Sequence, residues 1–300
     1  MTSASRLSSN PQAAIKVARR RELSCLIFIY EQGIATADQL GMHIFGARLN
    51  LQNKYHLTLV RRLRKRQLVS YFTSTATRKR VFYLTNHGAD MLLNMWGDTD
   101  HWIPHVDYHA PRAGLTIAHH LAVNDIRIDA EQNGFDFISE RIVRAVWGAD
   151  IPKVPDAILG IPSHIGYWPD RIPIALEYEN SARSNDRRML MLYAGEKIIG
   201  KRVGGIVVVS KPATVRIWKK TFISGTKTPT ASVLGRRGKK IIRLNSNLFR
   251  FWSTSTPESL DTELAKIRIA HLSEGQASTV WSIYSPWLGI RDILLDCALG

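Results

Sequence analysis

From about Ala13 the apolar positions Ile15, Leu23, Leu26, Ile27 and Tyr30 suit an amphipathic helix, which Gly33 would end. Thr36 is placed to cap a second helix through Ala37 to Leu40, stopping near Phe45 and Gly46. A third helix is expected from about Asn50 to Gln67, with Leu57, Val60 and Leu63 as its inward face. The pattern then changes. Leu68 to Thr73 and Arg80 to Thr85, separated by the polar turn Ser74 to Lys79, read as a β-hairpin, and a further helix follows Thr85 through Met91 to Met95. Three helices, a hairpin and a helix in this order are the pattern of a winged helix.

Beyond His101 to Gly114, a linker carrying Pro104 and Pro111, the periodicity resumes. Ile117, Leu121 and Ile128 predict a long helix, and Glu140 opens a short apolar-leaning segment. Two apolar runs follow, one around Asp156 and one with Ile174, Leu176 and Tyr178. A helix is expected over Ser181 to Lys197, and Gly204 to Ser210 has the continuous apolar character of a strand buried on both faces. Ser224 to Gly238 reads as the most loop-like region, with the basic stretch Arg236 to Arg243 as an edge element or a DNA-facing hairpin. The class is therefore α/β, α+β overall, with an N-terminal winged helix-turn-helix. The expected organisation is a disordered tail 1–12, a winged helix 13–100, a linker 101–114, an α/β domain 115–275 and a C-terminal tail 276–300 packed on the core.

Charge sharpens this picture. Residues 1–80 hold 15 Lys/Arg against 3 Asp/Glu, residues 81–200 hold 10 against 16, and residues 201–300 hold 16 against 6. An acidic middle between two basic flanks, in a chain of net charge +16, points to a polyanionic partner. The two cysteines, Cys25 and Cys297, have no zinc-finger or disulfide-framework spacing. No apolar run approaches a membrane span, so a cytoplasmic protein without membrane contact is expected.

The third helix carries Lys54, Tyr55, His56, Thr58, Arg61, Arg62, Arg64, Lys65 and Arg66, and the hairpin tip carries Arg78, Lys79 and Arg80. A winged helix brings these two clusters to one side, the first for the major groove and the second for phosphates or the minor groove of double-stranded DNA. Five histidines fall between His101 and His120, but the prolines deny the first three a helical spacing, so a linker is the better reading than a zinc site.

Asp156, Glu177 and Glu179 are the candidate catalytic constellation. Successive strand residues point to opposite faces, so Glu177 and Glu179 share one face while Ile174, Leu176 and Tyr178 share the other. Three converging carboxylates repel one another unless a cation neutralises them, and hard oxygen donors suit Mg²⁺ or Mn²⁺, the chemistry of metal-assisted phosphodiester hydrolysis. The competing reading is an edge strand with solvated glutamates. His120 and Asn124, one helical turn apart beside Asp125, could orient a metal-bound water or hydrogen-bond the core. Glu140 is a possible further acid, with a surface position the better reading.

These residues resemble the replication-relaxation proteins of bacterial plasmids and integrative elements, a family that includes mobilization relaxases of the MobC type. The resemblance rests on Tyr-Leu-Thr-Asn-His-Gly at 83–88, His-His-Leu-Ala-Val-Asn-Asp at 119–125, Pro-Asp-Ala at 155–157 and Leu-Glu-Tyr-Glu at 176–179. It implies a restriction-endonuclease-like second domain similar to PD-(D/E)xK nucleases. Asp156 and Glu177 match that pattern's acids, and Glu179 stands where its lysine usually is. The missing positive charge would then come from Arg183 or Lys197. The activity implied is metal-dependent nicking of a plasmid origin, alone or with other mobilization or replication proteins. The alternative is a non-catalytic DNA-binding accessory with a degenerate nuclease-like domain.

Overall fold

The computed structural model describes residues 11–46, 54–97, 116–147, 154–162, 171–179, 205–210, 230–235, 238–243 and 249–253, with the single positions 203, 213, 214, 216, 288, 291 and 295. The chain is α+β and divides into two compact units between residues 97 and 116, with Leu288, Arg291 and Leu295 grouping with the first. The linker histidines, the Ser181 to Lys197 helix with Arg183 and Lys197, and the C-terminal tail 276–300 apart from Leu288, Arg291 and Leu295 lie outside the described residues.

In the first unit α1 spans Pro11–Gln32, and it is not the striped helix that its apolar spacing predicts. Its first half is exposed, with Ile15 at 53%, whereas Cys25 to Gln32 are buried all round. The reason is packing on several sides, because helices α2 (Ala37–Phe45) and α4 (Asn86–Gly97) and the sheet all contact this helix. The left-handed Gly33 (φ 84°) closes it. Thr36 then caps α2 (Ala37–Phe45) with a reciprocal capping box: its hydroxyl accepts from the Gln39 amide at 3.2 Å while the Gln39 side chain accepts from the Thr36 amide at 3.1 Å.

The third helix, α3, runs Tyr55–Lys65, and Lys54 at its N-cap is left-handed (φ 52°). Its buried face is His56, Leu59, Val60 and Leu63, and Leu57 is only half-buried, a correction to the expected Leu57/Val60/Leu63 face. The strands β2 (Val69–Thr73) and β3 (Arg80–Leu84) form the expected hairpin. Ala35–Thr36 adds a short strand, β1, against β3, a pairing too short to leave a periodic signal.

The Thr85 to Gly88 part of the sequence motif has a physical account. Thr85 caps α4 (Asn86–Gly97), its hydroxyl accepting from the Gly88 amide at 3.0 Å and donating back to the Gln67 carbonyl. Gly88 lies directly over the Leu68 carbonyl, where a Cβ would stand 2.1 Å from the oxygen. The start of α4 is thereby pinned to the start of the hairpin.

The second unit is built on a five-stranded sheet in the order β10-β7-β6-β5-β4, with strands β4 (Asp136–Ser139), β5 (Ala157–Pro162), β6 (Arg171–Glu179), β7 (Ile206–Ser210) and β10 (Phe249–Ser253). The pairs β4–β5 and β5–β6 are antiparallel, and β6–β7 and β7–β10 are parallel. One face carries Phe137, Leu159, Leu176, Tyr178, Val207 and Val209 in a common core with Val123, Ile126 and Ala130 of α5 (Thr116–Gln132). Ile158, Ala175 and Val208 on the opposite face are also buried, so β7 is apolar throughout for the reason its sequence suggests. The segment read as loop-like instead contains β8 (Thr230–Gly235), paired with β9 (Gly238–Arg243) in a separate hairpin. Helix α6 (Glu140–Trp147) follows β4.

Candidate functional site

In the first unit the basic residues divide by the helix face they occupy. Arg61 and Arg64, on one stripe with Leu57, line a pocket together with Lys79 and Arg80 of the hairpin and Thr36, Ala37 and Asp38 at the start of α2. Arg62 and Arg66, one turn apart on another stripe, face Glu22 of α1 at 3.3 and 2.7 Å. Arg62 therefore sits in an ion pair inside the unit, a role its place in a basic run does not reveal. Lys54, Tyr55, Thr58 and Lys65 are exposed, Tyr55 at 66%, and so is Arg78. The other basic-run member, His56, is buried and meets Asp38 at 3.3 Å.

The hairpin tip is an ordered turn. The Ser74 amide donates to the Lys79 carbonyl at 2.9 Å, the Arg78 amide to the Ser74 carbonyl at 2.8 Å, and the Ser74 hydroxyl accepts from the Thr77 amide at 3.2 Å. Arg78 is left-handed (φ 55°), which turns the chain so that Lys79 and Arg80 can line the pocket.

In the second unit Asp156 stands immediately before β5, and both its oxygens are engaged. Oδ2 accepts from the Tyr178 amide at 2.7 Å, and Oδ1 lies 3.1 Å from Nε2 of His119. The Tyr178 amide belongs to the residue between Glu177 and Glu179, so Asp156 is tied to the main chain of β6 at that point. The edge-strand reading is overturned: β6 is an interior strand, and Glu177 and Glu179 are 7% and 3% exposed on the sheet face away from Tyr178. Among the described residues no three His, Cys, Asp or Glu side chains stand close enough to hold a metal ion together. The carboxylate donors themselves are of the type that suits Mg²⁺ or Mn²⁺.

His119, rather than the neighbouring His120, reaches Asp156. The signal was present in the helix, because residues 119, 123, 126 and 130 form one stripe and the last three pack on the sheet. The imidazoles shift in opposite directions. Burial pulls His119 down, but the hydrogen bond and charge of Asp156, with Glu140 and Glu177, outweigh it and raise the pKa. His120 is lowered by burial and by the charge of His119, only partly offset by Glu140 and Asp156. Tyr178 stacks near His119, with centroids 5.4 Å apart, and its hydroxyl is pushed up by burial and by Asp125 and Glu179. Asn124 is fully buried, which places it in the core, and Glu140 pairs with Arg144 at the helix surface.

No helix among the described residues is long and apolar enough to cross a membrane. Comparison with protein-family models, with curated proteins and with solved structures finds no match for this chain.

Proposed function

We propose that this chain is a duplex-DNA-binding protein of a plasmid or related mobile element, acting near a transfer or replication origin through an N-terminal winged helix. The observation that carries the reading is the pocket in which Arg61 and Arg64 of α3 meet Lys79 and Arg80 of the hairpin. Four cations drawn from two separate elements to one place suit a phosphate backbone, and the +16 net charge supports the same partner. The resemblance to replication-relaxation proteins supplies the origin as the place of action.

The test is binding of origin duplex measured across salt. If these four cations contact phosphates, log K should fall against log salt with a slope of about −3.6, a loss of about 150-fold between 50 and 200 mM. Arg61→Ala with Arg64→Ala should cut the slope by about 2, whereas Arg66→Ala should leave it unchanged. Salt-independent binding, or equal effects of the two changes, would sink the reading.

A second reading, metal-dependent nicking by a PD-(D/E)xK-like second unit, draws on Glu177 and Glu179. Two carboxylates kept out of water on an interior strand beside Asp156 carry a desolvation cost that a purely structural sheet has no need of. Supercoiled plasmid bearing the origin should then be nicked in Mg²⁺ or Mn²⁺ and spared by chelator, and Glu177→Gln should abolish the reaction. Tight binding with no nicking in either ion leaves the accessory-protein reading in its place.

A further inference from the structure

Three of the side chains around the α3 pocket are organised by one aromatic ring. Tyr71 of β2 is half-buried and pairs with Phe82 of β3, their rings 5.9 Å apart. The Arg64 guanidinium lies 4.4 Å from the Tyr71 ring centroid and that of Arg80 lies 5.3 Å from it. Arg80 belongs to the same face of the hairpin, because its partner is Thr73, two residues along from Tyr71. Arg64 arrives from the helix. Two guanidiniums so close to one ring repel each other, and each would gain by turning into water; the ring's negative face offsets that and holds both where they line the pocket.

We infer that Tyr71 is a positioning residue for DNA binding, holding Arg64 and Arg80 in advance as a two-cation clamp for one backbone phosphate. This deepens the DNA-binding reading and rests on it. The ring itself touches no DNA in the proposal. It acts by removing rotamer freedom from two long side chains before the phosphate arrives, so the complex loses less entropy on forming. The two arginines present planar donor forks that a phosphate can bridge.

The experiment measures origin-duplex affinity and its salt slope for the full chain and for variants at position 71. Tyr71→Phe keeps the ring and should bind within about 2-fold of the original protein. Tyr71→Leu should weaken binding about 10-fold and lower the salt slope by about 1. A multiply fluorinated phenylalanine at 71, which keeps the ring's shape and removes its negative face, should behave as Tyr71→Leu does, so any loss of folding in the leucine variant does not shelter the proposal. In an Arg64→Ala, Arg80→Ala background the leucine change should have almost no further effect. Fluorinated ring and phenylalanine binding alike, or a full 10-fold loss persisting without the arginines, overturns the clamp. Absence of salt-dependent duplex binding by the original protein would instead overturn the DNA-binding reading on which it rests.

Discussion

Replacing Gly88 by alanine opposes two effects whose sizes can be compared. Within a helix such as α4, alanine is favoured over glycine by about 1 kcal/mol. The position does not allow that gain. A Cβ at Gly88 would lie 2.1 Å from the Leu68 carbonyl oxygen and 2.9 Å from its carbon, so main chain on one side or the other must move by about 1 Å to restore contact distance. The Leu68 oxygen accepts from the Thr85 amide at 3.1 Å, and the Leu68 amide donates to the Leu63 carbonyl at 3.0 Å. Moving that peptide therefore strains the joints of α3, the hairpin and α4 together. Overpacking costs about 1–3 kcal/mol, and a weakened buried hydrogen bond adds about 1 kcal/mol. After subtraction of the helix gain, Gly88→Ala should destabilise the first unit by about 1–3 kcal/mol. Denaturant unfolding, with hydrogen exchange of the α4 and hairpin amides to assign the transition, measures it. A neutral or stabilised variant would show that α4 is not seated on the Leu68 peptide, and the packing argument would fail.

Glu22→Ala should cost no more than about 1 kcal/mol in a thermal melt, because Arg62 and Arg66 keep about half of their side chains in water, at 49% and 54% exposure. A loss of several kcal/mol would mean that the ion pair is far more structural than its exposure suggests. In NMR titration the His119 imidazole should lose its proton above the ordinary histidine pKa of about 6.5 and that of His120 below it. For His119 the folded value is raised, so its stabilisation is complete below the unfolded pKa and is lost as pH rises through the folded one. His119→Gln should therefore cost more stability at pH 5.5 than at pH 8.5, and the reverse order would contradict the Asp156 contact. Burial raises the Cys25 thiol far above its usual range, so it should resist alkylation in the native protein and react on unfolding.

Local signals in the chain were enough for much of the first unit. Thr36, Gln39 and Gly46 bound α2 because a capping box and a terminal glycine need only neighbouring residues to act. The hairpin lay in two apolar runs around a polar turn, and the buried strand at 206–210 in its lack of any polar face. The alternation of β6 was likewise sufficient to put Glu177 and Glu179 on one face. Helix α1 departs from its apolar spacing because a helix surrounded on several sides has no stripe to read, and β1 and β8 leave no signal because neither pairing has a periodic cause within its own segment.

Partners across the chain belong to the tertiary structure alone. Sequence could gather Arg61, Arg62, Arg64 and Arg66 into one basic run, but not send two of them to Glu22, some forty positions away, and two toward the hairpin. It could mark His119 and His120 as a pair, but not choose which meets Asp156. It could place carboxylates on a strand, but not decide whether that strand lay at an edge in water or inside the sheet. Each of these outcomes depends on which distant element covers a given face. Covering a face changes the cost of every charge upon it, because charge is cheap in water and expensive in the core unless a partner meets it there.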